Sequence, residues 1–214
     1  MEKKHQVHNL IILDESGSME SIKSVIIQGF NEVVQTIKGI EKKFPEQQHF
    51  ISFISFNGLG QKFHHFAEPA SSLKELNKQN YKPDANTPLF DAMGYSFNKL
   101  TQHLKGETNY NVLVTILTDG MENASKEFTG ADINHLVLEL NHKGWTFTYI
   151  GTDHDVKKMA KSMSITNSLT FKKDSDDINN MFGTERLARE RYYQKLRSKE
   201  NLDSDYFDTD NLNK

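Results

Sequence analysis

The chain is predicted to be an α/β protein: a doubly wound, mostly parallel sheet with helices on both faces and one antiparallel edge strand. Three observations predict it. Two apolar runs, Leu10–Leu13 and Val112–Leu117, each stop at an acid, Asp14 and Asp119, as buried strands do when they emerge at the ligand-binding rim of an open sheet. Strand-like and helix-like periodicities alternate over most of the length. Only Phe50–Phe56 and Gln61–Ala67 are separated by a few turn residues, beginning with Asn57-Gly58, and so short a connection makes an antiparallel pair.

Taken in order, the first strand ends at Asp14 and is followed by one long amphipathic helix. Its apolar residues Met19, Ile22, Val25, Ile26, Phe30, Val33, Val34, Ile37 and Ile40 recur at helical spacing, and it stops near Phe44-Pro45. The hairpin follows, then a single helical turn over Ser72–Asn77. Pro88–Leu104 is helical, with Leu89, Met93, Phe97 and Leu100 on one stripe. The second half continues with a strand at Val112–Leu117 and a helix at Asp132–His142 that turns Ile133, Leu136, Val137 and Leu140 inward and ends near Gly144. A strand at Trp145–Ile150, a helix at Asp155–Met163 and a last strand at Ile165–Phe171 come next. Residues 174–198 are helical again through Ile178, Met181, Phe182, Leu187 and Leu196, with a break expected at Gly183. The division expected is one domain over 1–172, a helical extension over 173–198 packed on or beside it, and an acidic, frayed tail over 199–214.

Composition narrows the function classes. The chain has 214 residues and no cysteine, so disulfides and thiolate metal sites are excluded. A net charge of −3 argues against nucleic acid as a partner. No apolar run approaches the ~20 residues that span a bilayer, and the polar start Met-Glu-Lys-Lys-His-Gln carries no secretory signal. A cytoplasmic protein without a membrane partner is expected.

The residues after Leu13 carry the chemistry. Asp14, Ser16 and Ser18 put three hard oxygen donors in one loop, with Gly17 allowing a tight turn between the serines. Such donors suit Mg²⁺ or Mn²⁺ better than zinc or copper. Read alone, the same residues also make a helix cap. Far along the chain, Asp119-Gly120 ends the second apolar run, and between the two runs Thr87 precedes Pro88 at a helix start.

Here the sequence resembles the von Willebrand factor A domains. Their metal-ion-dependent adhesion site has the pattern Asp-x-Ser-x-Ser, then a distant Thr, then a distant Asp-Gly, matched by Asp14, Ser16, Ser18, Thr87 and Asp119. Thr87-Pro-Leu-Phe-Asp-Ala92, Leu117-Thr-Asp-Gly-Met-Glu-Asn123 and Gly144-Trp-Thr-Phe-Thr-Tyr-Ile-Gly151 look like a bacterial intracellular branch of the family, over roughly residues 6–172. The resemblance implies the Rossmann-like fold of that family and a Mg²⁺ site that Mn²⁺ can also fill. Ser16, Ser18 and Thr87 would touch the metal through their hydroxyls, and Asp14 and Asp119 would hold it largely through water. One coordination position would be left for an Asp or Glu of a partner protein. The function implied is that of an adaptor or scaffold module.

Other features carry two readings each. Glu122 is either a solvated loop side chain or a residue that tunes the site's charge or receives a basic partner residue, and Asp153 either caps a helix or faces the metal rim. His64 and His65 point to opposite faces of a strand and do not chelate one ion together. Arg186, Arg189, Arg191, Lys195 and Arg197, with Tyr192 and Tyr193, make either a charge-laced solvated helix or a phosphate- or acid-binding face; Glu185 and Glu190 favour the first. The tail acids Asp203, Asp205, Asp208 and Asp210 lack the glycine of a calcium loop. Self-association, with a tail carboxylate entering a neighbour's metal site, stays open. The enzymatic alternative is a Mg²⁺-dependent phosphoryl-transfer enzyme of the haloacid dehalogenase type. Such enzymes need a second acid two residues after the first, where this chain has Ser16, so no enzyme is expected.

Overall fold

The computed structural model describes residues 4–202 and 206–208. Six strands form one sheet in the order β3-β2-β1-β4-β5-β6. They are β1 (His5–Asp14), β2 (Gln47–Asn57), β3 (Gly60–Pro69), β4 (Tyr110–Thr118), β5 (Trp145–Gly151) and β6 (Asn167–Thr170). Every neighbouring pair is parallel except β2–β3, the antiparallel edge hairpin. The predicted fold class therefore stands.

Alternation along the central strands divides the core into two layers. Leu10, Ile12, Val114, Ile116, Phe147 and Tyr149 face α2 (Leu89–His103), α3 (Gly130–Asn141) and α4 (Val156–Ser162). Ile11, Leu13, Ile51, Phe53, Leu117 and Ile150 face α1 (Lys23–Lys43) and α5 (Ser175–Ser198). The long first helix begins differently from its prediction: Gly17–Ile22 is a 3₁₀ turn that buries Met19 and Ile22 before α1 starts. The turn expected over Ser72–Asn77 is shorter and earlier, Ala70–Ser72, and Leu73, Leu76 and Tyr81 beyond it are buried under the α1 layer.

The C-terminal helix departs most from expectation. Asp174 caps it, accepting from Asp177 N, and it runs unbroken through Gly183. Ile178, Met181 and Phe182 anchor that stretch against α1, where the Phe182 ring lies so close to Gly29 that a Cβ there would overlap it. Leu187, one of the apolar residues that marked the helix, is 52% exposed. In its place Arg189 points inward and is fully buried. Its guanidinium donates to Glu185 Oε1 at 2.8 Å, to Asn9 Oδ1 on β1 at 2.9 Å and to Thr115 Oγ1 on β4 at 2.7 Å. The solvated-helix reading thus fails at the helix's centre. Arg186 pairs with Glu32 of α1 nearer the surface.

Beyond Lys199, Tyr206 is buried and packs on Tyr192, with its N–H bonded to Asn167. The frayed-tail expectation does not hold at this residue. Asp203, Asp205 and Asp210 lie outside the described residues. Among the described residues, no helix is long and apolar enough to cross a membrane.

A buried ion pair replaced whole by apolar groups is often neutral, but breaking one strands a charge and costs about 3–5 kcal/mol. Arg189→Ala is expected to lower unfolding free energy by that amount in urea titrations. The double variant Arg189→Met/Glu185→Leu is expected to recover most of the loss.

Candidate metal centre

Parallel pairing sets Leu13 of β1 opposite Leu117 of β4, so Asp14 and Thr118 leave the sheet side by side, with Asp119 next. The chain after β1 turns to the α1 face and the chain after β4 to the α3 face. That divergence opens a crevice at the topological switch point.

Three loops meet there. In the first, Asp14 Oδ1 accepts from Ser16 N at 2.7 Å and Asp14 Oδ2 accepts from Thr118 Oγ1 at 2.6 Å. Ser16 Oγ lies 3.2 Å from Ser18 Oγ, and Ser18 Oγ donates to Asp119 Oδ1 at 2.6 Å. The second loop is laced to the first: Gly17 N donates to Ala85 O, Asp84 N to Glu15 O, and the Tyr81 hydroxyl to Asp14 O. It delivers Thr87, whose backbone exchanges bonds with Asn123 of the third loop. A Cβ added at Gly120 would lie 3.6 Å from Thr87 Oγ1 and 3.7 Å from Ser18 Oγ. Both hydroxyls therefore face a space that a side chain at 120 would enter. All five residues singled out in the sequence are brought to this one crevice.

The donor chemistry fits a hard divalent cation. Among the described residues no group of three or more His, Asp or Glu is arranged to hold a metal ion, so a cation here would be held by hydroxyls together with two carboxylates. Burial pushes Asp14 up to about 6, against the opposing hydrogen bonds from Thr118 and Ser16. Asp119 Oδ2 is buried, and the cation beside it is the Lys173 ammonium, 2.8 Å away. Two buried carboxylates at one rim suit a cation between them.

Glu122 is not simply a solvated loop side chain. Its carboxylate accepts from Ala124 N, Ser125 N, Ser125 Oγ and Phe90 N, all within 2.9 Å, so it staples the third loop to α2. Asp153 does not cap α4; Asp155 does, through Lys158 N. Asp153 instead pairs with Lys173 at 2.7 Å. His64 and His65 go separate ways, to Ser55 and to Glu68. Sequence reasoning missed two residues. Glu15 turns away from the crevice to Lys62, Ser55 and Lys82 N, and Lys173 Nζ stands 2.8 Å from Asp119 Oδ2. Only their long-range partners reveal them.

In the metal-free protein, Asp14 ionises in the unfolded chain near its ordinary value but in the folded protein only near 6. Stability therefore falls as pH rises between those two values. Asp14→Asn is expected to stabilise chelator-treated protein at pH 7 by about 1–3 kcal/mol and to flatten that pH dependence, as read from urea melts.

A family model for the von Willebrand factor type A domain matches residues 10–184. Among solved structures, the chain is similar to proximal thread matrix protein 1 of the mussel byssus, at 15% identity, over 84% of this chain and 47% of that one, with a TM-score of 0.59. It is similar to the pilus adhesin SpaC of Lactobacillus rhamnosus GG at 13% identity, over 89% and 30% of the two chains, TM-score 0.60. The vWF domain of the type V pili tip protein Mfa5 of Porphyromonas gingivalis is similar at 9% identity, over 87% and 97%, TM-score 0.56. At such identities the likeness is one of fold. The chain spans about half the length of the mussel byssus protein. A search of curated proteins finds no match to its sequence. With the family model spanning most of its length, the chain belongs to the von Willebrand factor type A domain family.

Proposed function

We propose that this chain is a Mg²⁺-dependent protein-binding module, an adaptor or scaffold that captures an acidic residue of its partner. Domains of the family are commonly protein-interaction or adhesion modules, and the observation that carries the finer reading is the meeting of three loops around Asp14, Ser16, Ser18, Thr87 and Asp119. In this reading they form a complete metal-ion-dependent adhesion site, with Ser16, Ser18 and Thr87 as hydroxyl ligands and Asp14 and Asp119 holding the metal largely through water. Mn²⁺ is the natural substitute. When bound, the ion would supply Lewis acidity and an open position for a partner's Asp or Glu.

The protein's own residues supply the rest. The Glu122 staple and the Thr87–Asn123 bonds hold the rim in place before any ligand arrives, which lowers the ordering cost of binding. Beside Thr87 runs a groove of about 670 Å³ between β3 and α2. Leu59 at 77% exposure and Tyr95 at 46% offer apolar contact there, and Lys99 Nζ sits 4.0 Å above the Phe63 ring. Anchors of this kind supply affinity while the metal contact fixes orientation. The bacterial, cytoplasmic setting belongs to the same proposal.

The phosphatase alternative finds no support. The position two residues after Asp14 is a serine engaged with Ser18, not an acid able to protonate a leaving group. We take the protein to be a non-enzyme.

Calorimetric titration of Mg²⁺ into the wild type is expected to show one site. Thr87→Ala should weaken it at least tenfold with an unchanged circular dichroism spectrum. Equal affinity in the two proteins would remove Thr87 from the site and dismantle the three-loop reading.

A further inference from the structure

Lys173, between β6 and α5, reaches back across the rim to the crevice. Its Nζ stands 2.8 Å from Asp119 Oδ2 and 2.7 Å from Asp153 Oδ2. The Asp119 side chain is fully buried, the Lys173 side chain is 25% exposed and Asp153 is 58% exposed. Asp119 already accepts from Ser18 through Oδ1, so the ammonium lies against its remaining oxygen. That contact is an ion pair with a buried carboxylate. The partnership is one of charge.

We propose that Lys173 sets the charge of the metal site, loosening the hold on the cation and strengthening the capture of a carboxylate by it. This inference rests on the metal-dependent reading above. Asp14 and Asp119 are the two acids of the crevice, and together they would neutralise a divalent ion. With Lys173 fixed against Asp119, one of those buried charges is already answered; the Asp153 carboxylate, 58% exposed, is screened by water and counts for less, so a bound ion would keep net positive charge toward solvent. The same ammonium repels the ion at short range. Its effects on the two binding events therefore have opposite signs, which a purely structural link between the rim and α5 would not produce. The Asp153 contact is exposed and contributes little by itself; its role is to keep the lysine turned toward the crevice.

The test compares wild type with Lys173→Met, Lys173→Gln and the charge-keeping Lys173→Arg. Calorimetry reads Mg²⁺ and Mn²⁺ affinity, and urea melts confirm that each protein is folded. The neutral variants are expected to bind either metal at least about tenfold more tightly, the order that one unit charge several ångströms from a divalent ion gives even with water-like screening. Lys173→Arg should stay within about threefold of wild type. Acetate, added to each Mn²⁺-loaded protein and followed by water-proton relaxation, should bind several-fold more weakly to the neutral variants. Unchanged or weaker metal affinity in both neutral variants overturns the inference while leaving the metal site standing. Tighter metal with undiminished acetate capture also overturns it, because the opposed signs would be absent. No metal binding by wild type or variants overturns the underlying reading as well.

Discussion

The parallel pairing of β1 with β4, whose following segments leave for opposite faces of the sheet, is the constraint on which the rest of the site depends. It places Asp14 and Thr118 in adjacent register and Asp119 one residue on, in the only kind of position where an open α/β sheet leaves its strand ends uncovered. Both acids are carried into the protein by apolar strands, so their burial follows from the core and not from the loops. The Asp14 carboxylate is tolerated because Thr118 and the backbone of Ser16 donate to it. A carboxylate satisfied in this way still disfavours its own charge, which is the electrostatic condition that suits a cation.

The rim is rigid for local reasons. Asp91, in the first turn of α2, accepts three successive backbone N–H groups from Lys126, Glu127 and Phe128, and Glu122 closes the other end of the same loop. Acids at a helix start read from sequence as favourable partners of its dipole. Here they also hold a neighbouring loop that lies more than thirty residues away in the chain. Thr87 inherits its position from this framework, since the backbone that carries it is bonded on one side to the Asp14 loop and on the other to Asn123.

What the sequence made legible followed from periodicity and from spacing. Alternation named the sheet, the edge hairpin and nearly every helix, because each element buries one face and the pattern records which. The five crevice residues were legible as a motif; that they hold a metal together is the proposal made above. Burial of charge was not legible. Glu185 and Arg189 stand four residues apart, the spacing of a solvated surface pair, and nothing in α5 distinguishes them from Arg186 and Glu190. The hint lay elsewhere, in Asn9 and Thr115, polar residues interrupting otherwise apolar central strands. Gly183 misled for a related reason: a glycine weakens a helix by about 1 kcal/mol, and the packing of Phe182 against Gly29 outweighs it. Lys173 and Glu15 have no sequence signal, since their partners are fixed only by tertiary approach.

The buried Arg189 has a mechanical consequence. Its guanidinium clamps α5 to β1 and β4 through Asn9 and Thr115. Sliding the helix by one turn, about 5.4 Å, would bring Glu185 or Tyr193 over those two side chains and leave a charge stranded in the core. Displacement along the axis thus passes through a state with an unpaired buried ion. One buried side chain thus pins α5 along its own axis, and the register of that helix on the sheet is set by charge as much as by apolar packing.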